Sequence, residues 1–302
     1  MSSLPSLCFG MKYDGPPQKV LVFGGKTGWF GQIIVKQLKE LGHQAIIAES
    51  RLENREDLIN EIETVRPDAI INAGGITGRP HIDWCESHKP ETIRANVIGC
   101  LNLADISHQR NIHMTYVGTG CLYDYDEEHS ITSGKGFTEE DPPNHDTSFY
   151  CESKLYLQKL LVRYPNVLVL RVRMPFSGDW TPRNFIVKIA TYEKVVNVPN
   201  SLSSLEDLLP IAVDMTLRNL KGVYNFVNPG TISHNEVLNL YKEIVDEKFS
   251  YQNFSTEEQD KILKAPRSNC NLDASKLLSE YPEIPDVRSS IVSALKSMKA
   301  AR

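Results

Sequence analysis

The chain has 302 residues, 41% hydrophobic and 24% charged, with a formal net charge of -5 at pH 7. These proportions exclude the disordered and membrane classes, and without a basic stripe or polybasic run neither nucleic acid nor an anionic membrane is an expected partner. The length suits one large core with a smaller lobe against it, enough to enclose a cleft.

Along the chain, the Pro/Gly-containing lead-in Asp14-Gly15-Pro16-Pro17 precedes Lys19-Val20-Leu21-Val22-Phe23, a short apolar run ending in glycines that predicts a buried first strand. Phe30, Ile33, Ile34, Leu38 and Leu41 follow with helical spacing, Gly42 stands where the helix would stop, and Ala45–Ala48 reads as a second strand. Helical stretches at 56–65 and 92–107 then alternate with strands at 69–72 and 114–117. A helix at 148–164 leads into a strand at 167–173, after which the pattern shortens, with helices at 187–192, 205–218, 234–245 and 287–299 between Pro-containing turns. The expected fold is α/β, a Rossmann-type doubly wound parallel sheet formed mainly by residues 1–175, with a smaller C-terminal substrate lobe formed mainly by 176–302. The two parts form one integrated unit, and later segments are free to return to the sheet.

Gly25-Lys26-Thr27-Gly28-Trp29-Phe30-Gly31 falls between the first strand and the first helix, where a dinucleotide pyrophosphate rests on free helix N–H groups. The Gly-x-x-Gly-x-x-Gly spacing is looser than the dehydrogenase fingerprint, and its place after a strand is what points to a cofactor. At the end of the second strand, Glu49 suits a ribose hydroxyl and Arg51 suits a 2′-phosphate. Arg51 favours NADPH, with NADH as the alternative. Asn72, Ala73 and Gly74 end the third strand where they would line the cofactor, and Asn96 is placed to brace the site.

Tyr150 and Lys154 lie four residues apart on one helix face. A phenol titrates near 10, and a neighbouring ammonium favours its ionised form, so Lys154 is expected to activate Tyr150. Thr119 lies at the C-terminal edge of the sheet, where ligands bind in open α/β folds. Cys121, two residues further on, projects to the same side if the segment stays extended.

The glycine turn, Thr119, Tyr150-Cys151-Glu152-Ser153-Lys154 and Arg173-Met174-Pro175 resemble the extended short-chain dehydrogenase/reductases over nearly the whole chain. More narrowly, Gly74-Gly75-Ile76-Thr77-Gly78-Arg79-Pro80, Gly118-Thr119-Gly120-Cys121, Arg171-Val172-Arg173-Met174-Pro175 and Pro182-Arg183-Asn184-Phe185-Ile186 are similar to the eukaryotic bifunctional nucleotide-rhamnose synthases. The resemblance implies a 3,5-epimerase/4-reductase acting on UDP- or dTDP-4-keto-6-deoxyglucose with NADPH. It assigns Thr119, Tyr150 and Lys154 to reduction, Cys121 as the epimerase base and Lys188 as the source of the returning proton, and it carries an expected homodimer. Related bacterial reductases usually have an acidic residue after the threonine, whereas Gly120 stands here, which argues against a reductase-only enzyme. A non-catalytic Rossmann regulator, such as the methionine adenosyltransferase β-subunit, is the rival from another class.

Expected substrate contacts are Thr77, Arg79, Cys121, Asn184 and Arg267, since a nucleotide diphosphate needs cationic forks and amide donors. His81, Cys85 and His88 lack companions to complete a metal shell, so no metal is expected. The six cysteines, including Cys8, are scattered in a chain large enough to fold without disulfide staples. With no visible targeting segment, that points to the cytoplasm.

Overall fold

The computed structural model describes residues 10–78 and 82–302. The expected contacts at Arg79, and His81 and Cys8, lie outside them. The first half alternates strand and helix: β1 Lys19–Phe23, α1 Trp29–Glu40, β2 Gln44–Ile47, α2 Arg55–Val65 and β3 Ala69–Asn72. After α3 (Asp83–Ser87) and α4 (Lys89–Ile93) comes a π-helical turn at Arg94–Ile98, then α5 Gly99–Gln109 and β4 His113–Thr119. α6 (Phe149–Leu161) and β5 (Val167–Val172) complete the alternation.

These strands form one parallel sheet in the order Gly222–Asn225, β5, β4, β3, β1, β2. The order reverses between β1 and β3, so the loops after those strands diverge at the carboxyl edge and leave a crevice. Alternation along β1 sorts the core: Leu21 and Phe23 face a layer with Leu58, Ile62, Leu103 and Leu157, while Val20 and Val22 face Ile34, Leu38, Leu209 and Val213.

The later half contributes α7 Phe185–Thr191, α8 Leu205–Leu217, α9 His234–Ile244, α10 Thr256–Asp260, α11 Ser275–Glu280 and α12 Val287–Ala300. Its own core joins Phe176, Ile186, Ile189, Val237, Leu238, Ile291 and Leu295. Two of its segments belong to the sheet: α8 packs with α1 against β1, and Gly222–Asn225 pairs with β5. The expected helix at 92–107 is divided. The π-helical turn sets Asn96 inward, fully buried, in the extra-wide turn that often marks a functional site.

Candidate active site

The chain leaves β1 at Gly24, whose φ of +83° favours glycine. A Cβ on Gly31 would lie under 3.0 Å from the Gly24 carbonyl, so helix and turn approach as closely as glycine alone permits. Gly28 caps α1 with no side-chain bond to the helix amides, leaving these donors for an anion. Thr27 is held from the later half of the chain, its carbonyl accepting from Arg183 Nη1 at 2.7 Å. Gly25, Trp29 and Phe30 surround this turn, with Gly25 buried against Ile47 and the two rings packing edge to face. Beyond β2, Glu49 pairs with Lys26, whereas the exposed Arg51 guanidinium has no hydrogen bond or ion pair among the described residues. A close-packed glycine cradle, an uncapped helix end and a free guanidinium fit a phosphorylated dinucleotide. Gly24 was absent from the expected set, although the Gly24-Gly25 pair after a strand is a turn signal.

Across the crevice, Asn72 accepts from Gly74 N–H at 3.0 Å and donates to Cys100 Sγ at 3.4 Å, which stiffens the Asn72-Ala73-Gly74 edge. Asn96 braces the next residues from both sides, accepting from Ile76 N–H at 2.8 Å and donating to its carbonyl at 2.7 Å. Thr77 follows, exposed.

Thr119 is the last residue of β4, in register with Val172 of β5. Its carbonyl accepts from Gln158 at 3.0 Å, and Gln158 in turn accepts from Arg171 at 3.0 Å, so a buried network fixes the strand end. The Thr119 hydroxyl accepts from Cys121 N–H at 3.1 Å. The Ser148 side chain caps α6, accepting from Cys151 N–H at 3.2 Å, and sets Tyr150 in the first turn with Lys154 one turn later. Tyr150 and Cys151 pack with Cys85 in a small cluster that Cys121 borders, so the phenol and the half-buried thiol are close neighbours.

Burial pushes the Tyr150 phenol well above its ordinary value, and the neighbouring Cys121, Cys151 and Cys85 add to it; the Thr119 hydroxyl, as a hydrogen-bond partner, opposes the shift. The expected activation by Lys154 is therefore corrected. The buried ammonium donates to Tyr116 Oη at 2.9 Å and stands 5.8 Å from the Tyr150 ring centre. Burial is the largest influence on the phenol and favours its protonated form, which suits an acid. The same burial lowers Lys154 to about 8. Tyr116, a missed member of the site, reads in sequence as one more apolar strand residue.

Asn184 requires a second correction. It is fully buried: its Oδ1 accepts from Ile186 N–H at 3.0 Å, and its Nδ2 donates to the carbonyls of Ser177 and Asp179 at 2.7 and 2.8 Å. Its oxygen caps α7 and both amide hydrogens are spent on the preceding loop, so a fully buried side chain has no donor left for a substrate. Four residues on, Lys188 projects accessibly from α7, without a hydrogen bond or ion pair among the described residues; desolvation and then Arg183 lower its ammonium. Arg267 is tied to Asp83 at 2.8 Å and to the Ala265 carbonyl at 2.6 Å, joining the late loop to α3, and its charge is felt at Cys151. Arg173, buried at the end of β5, also escaped the sequence reading as a site residue: its Nη1 lies 3.4 Å from Cys121 Sγ.

Among the described residues no helix is long and apolar enough to cross a membrane. The sequence profile of the NAD dependent epimerase/dehydratase family matches residues 20–173. The chain is 50% identical over 269 residues, 89% of both chains, to a bifunctional dTDP-4-dehydrorhamnose 3,5-epimerase/dTDP-4-dehydrorhamnose reductase of Arabidopsis thaliana. It is also 49% identical to a trifunctional UDP-glucose 4,6-dehydratase/UDP-4-keto-6-deoxy-D-glucose 3,5-epimerase/UDP-4-keto-L-rhamnose-reductase of that plant, covering 92% of this chain and 42% of the longer protein. The crystal structure of a UDP-rhamnose synthase from Acanthamoeba polyphaga mimivirus superposes with a TM-score of 0.90 at 37% identity, covering 94% of this chain and all of that one. An NADP complex of Bacillus anthracis dTDP-4-dehydrorhamnose reductase shares the fold, with a TM-score of 0.77 at 19% identity over 91% of this chain and 98% of that one. With the glycine cradle, the strand-end threonine and the Tyr150/Lys154 helix in one crevice, this chain belongs to the NAD dependent epimerase/dehydratase family.

Proposed function

We propose that the chain is a bifunctional 3,5-epimerase/4-reductase that converts UDP-4-keto-6-deoxy-D-glucose to UDP-β-L-rhamnose with NADPH. The observation that carries the reading is the clustering of Thr119, Cys121 and Tyr150, which sets a hydroxyl, a thiol and a phenol side by side at the end of β4. The plant relative's name carries the same pair of activities, with dTDP as its nucleotide, and the viral relative's name carries UDP-rhamnose. UDP is preferred to dTDP because the viral synthase superposes over almost the entire chain.

A 4-keto group acidifies the hydrogens at C3 and C5. In this reading the Cys121 thiolate removes each proton, while Tyr150 and Thr119 hold the enolate oxygen by hydrogen bonds. Lys188, with a free and partly desolvated ammonium, returns a proton to the opposite face. NADPH held by the glycine turn and Arg51 would supply the hydride for C4. Tyr150 then gives its proton to the C4 oxygen, and Lys154 keeps a positive charge beneath the site. Arg51 holds the 2′-phosphate, and Thr77, Arg79 and Arg267 act on the nucleotide sugar. The enzyme works as a homodimer in the cytoplasm.

Incubation of the purified protein with UDP-4-keto-6-deoxyglucose and NADPH, followed by NMR of the product sugar, tests the proposal. An L-rhamno product supports it; a 4-reduced sugar with unchanged C3 and C5 leaves a reductase alone.

A further inference from the structure

Arg173 is the largest side chain buried to below 2% exposure, and among the described residues no carboxylate is ion-paired with it. Its polar contacts are neutral: Nη1 donates to Ser268 Oγ at 2.9 Å, and Nη2 donates to the Ser268 carbonyl at 2.6 Å and to Asn200 Oδ1. Its Nε has no hydrogen-bond partner among the described residues. Of the groups that act on it, Cys270 comes first, but burial pushes that thiol up to about 11 and it donates to the Gly120 carbonyl; Asp124, the last, is committed elsewhere, accepting from the amides of Tyr125 and Asn269 and facing His145 Nδ1 at 3.5 Å. A buried cation without a counter-ion is strongly penalised, so a fold that keeps one has a negative charge to match it.

The remaining contact supplies that charge. Nη1 reaches Cys121 Sγ at 3.4 Å, within hydrogen-bond range for sulfur. The other flank adds no competing cation, because burial and the Arg173 charge lower His234 to about 4.

We propose that Arg173 is the counter-ion of Cys121 and holds its sulfur as a thiolate in the resting protein, ready to act as a base. This rests on the epimerase role given to Cys121 above, and it assigns Arg173 to the epimerisation half of the reaction. As the thiolate takes a substrate proton, the guanidinium is left alone; as the proton returns to solvent, the pair re-forms. Proton transfer is thus coupled to a fixed cation beside the sulfur, while reduction at C4 uses Tyr150 and Lys154.

The test reads the thiolate itself and needs no turnover. An ultraviolet difference spectrum of the wild-type chain minus Cys121→Ser at neutral pH should show a thiolate band, and its absence would overturn the proposal even if the enzyme epimerises. Arg173→Met should abolish the band and slow iodoacetamide labelling of Cys121, followed by mass spectrometry, by about tenfold or more. Arg173→Lys, which keeps the charge, should retain most of both, whereas Ser268→Ala should leave both unchanged. A band that persists in a folded Arg173→Met variant would make Arg173 a structural staple; if that variant does not fold, the wild-type spectrum and Arg173→Lys decide. A thiolate present without C3 and C5 exchange would leave this inference standing and sink the epimerase reading instead.

Discussion

Lys154 donates its buried hydrogen bond to Tyr116, 2.9 Å away, and only overlooks Tyr150, whose ring centre is 5.8 Å distant. The phenol proposed as the acid and the ammonium proposed to steady the site therefore occupy separate positions on one helix face. In the proposed reaction the burial of Tyr150 favours its protonated form, the form an acid needs.

Tyr150→Phe removes the hydroxyl and little packing. Reduction should fall by roughly 10² to 10⁴-fold with the fold intact, as expected when a positioned acid is lost. NADPH oxidation at saturating substrate, with circular dichroism as control, checks this.

Lys154 gives a stability signature with a definite sign. Its value falls from 10.5 to about 8 in the fold, so the unfolded chain binds this proton more tightly. Stability should therefore rise with pH between about 8 and 10.5, with the penalty fully present below about 8. That penalty is on the order of 3 kcal/mol. Lys154→Met relieves it but leaves the Tyr116 hydroxyl without its partner, at a cost of about 1 kcal/mol. The variant should be the more stable protein at pH 7 and nearly inactive, and its advantage in urea unfolding should vanish above pH 10.5. Wild-type reduction should decline above about pH 8 as the charge is lost.

On the proposed reading the free Arg51 guanidinium holds the 2′-phosphate and sets cofactor preference. Arg51→Ala should raise the KM for NADPH by about tenfold or more, the scale of a charge-assisted hydrogen-bond pair, while leaving NADH little changed. Equal effects on the two cofactors would remove Arg51 from the 2′-phosphate.

Gly31→Ala would force a methyl group against the Gly24 carbonyl, which is backbone and has little room to yield. The variant should lose about 1 to 3 kcal/mol of stability and bind cofactor more weakly. Thermal unfolding with and without NADPH measures both effects.

Much of this was legible in the sequence where local patterns act alone. The β-branched runs at Lys19–Phe23 and Ala69–Asn72 mark strands with the observed bounds, and Gly42, with φ +84°, ends the first helix as read. The turn at Arg94–Ile98 was hidden because one π-helical turn barely disturbs helical periodicity. Asn184 was read for its amide, although an Asn just before the apolar run Phe185-Ile186-Val187 is also a helix-cap signal, and the cap prevailed. Tyr116 and Arg173 stayed invisible as site members because their partners, Lys154 and Cys121, are 38 and 52 residues away in sequence and meet them only when β4, β5 and α6 assemble.

The most direct measurement is solvent deuterium incorporation at C3 and C5 of the sugar, run in D₂O with the wild type and with Cys121→Ala. Both positions should be labelled by the wild type and neither by the variant, which should still reduce an already epimerised 4-keto-L-rhamnose nucleotide. Undiminished labelling by the variant would contradict the account, because the proton would then be leaving to some group other than the thiol beside Tyr150.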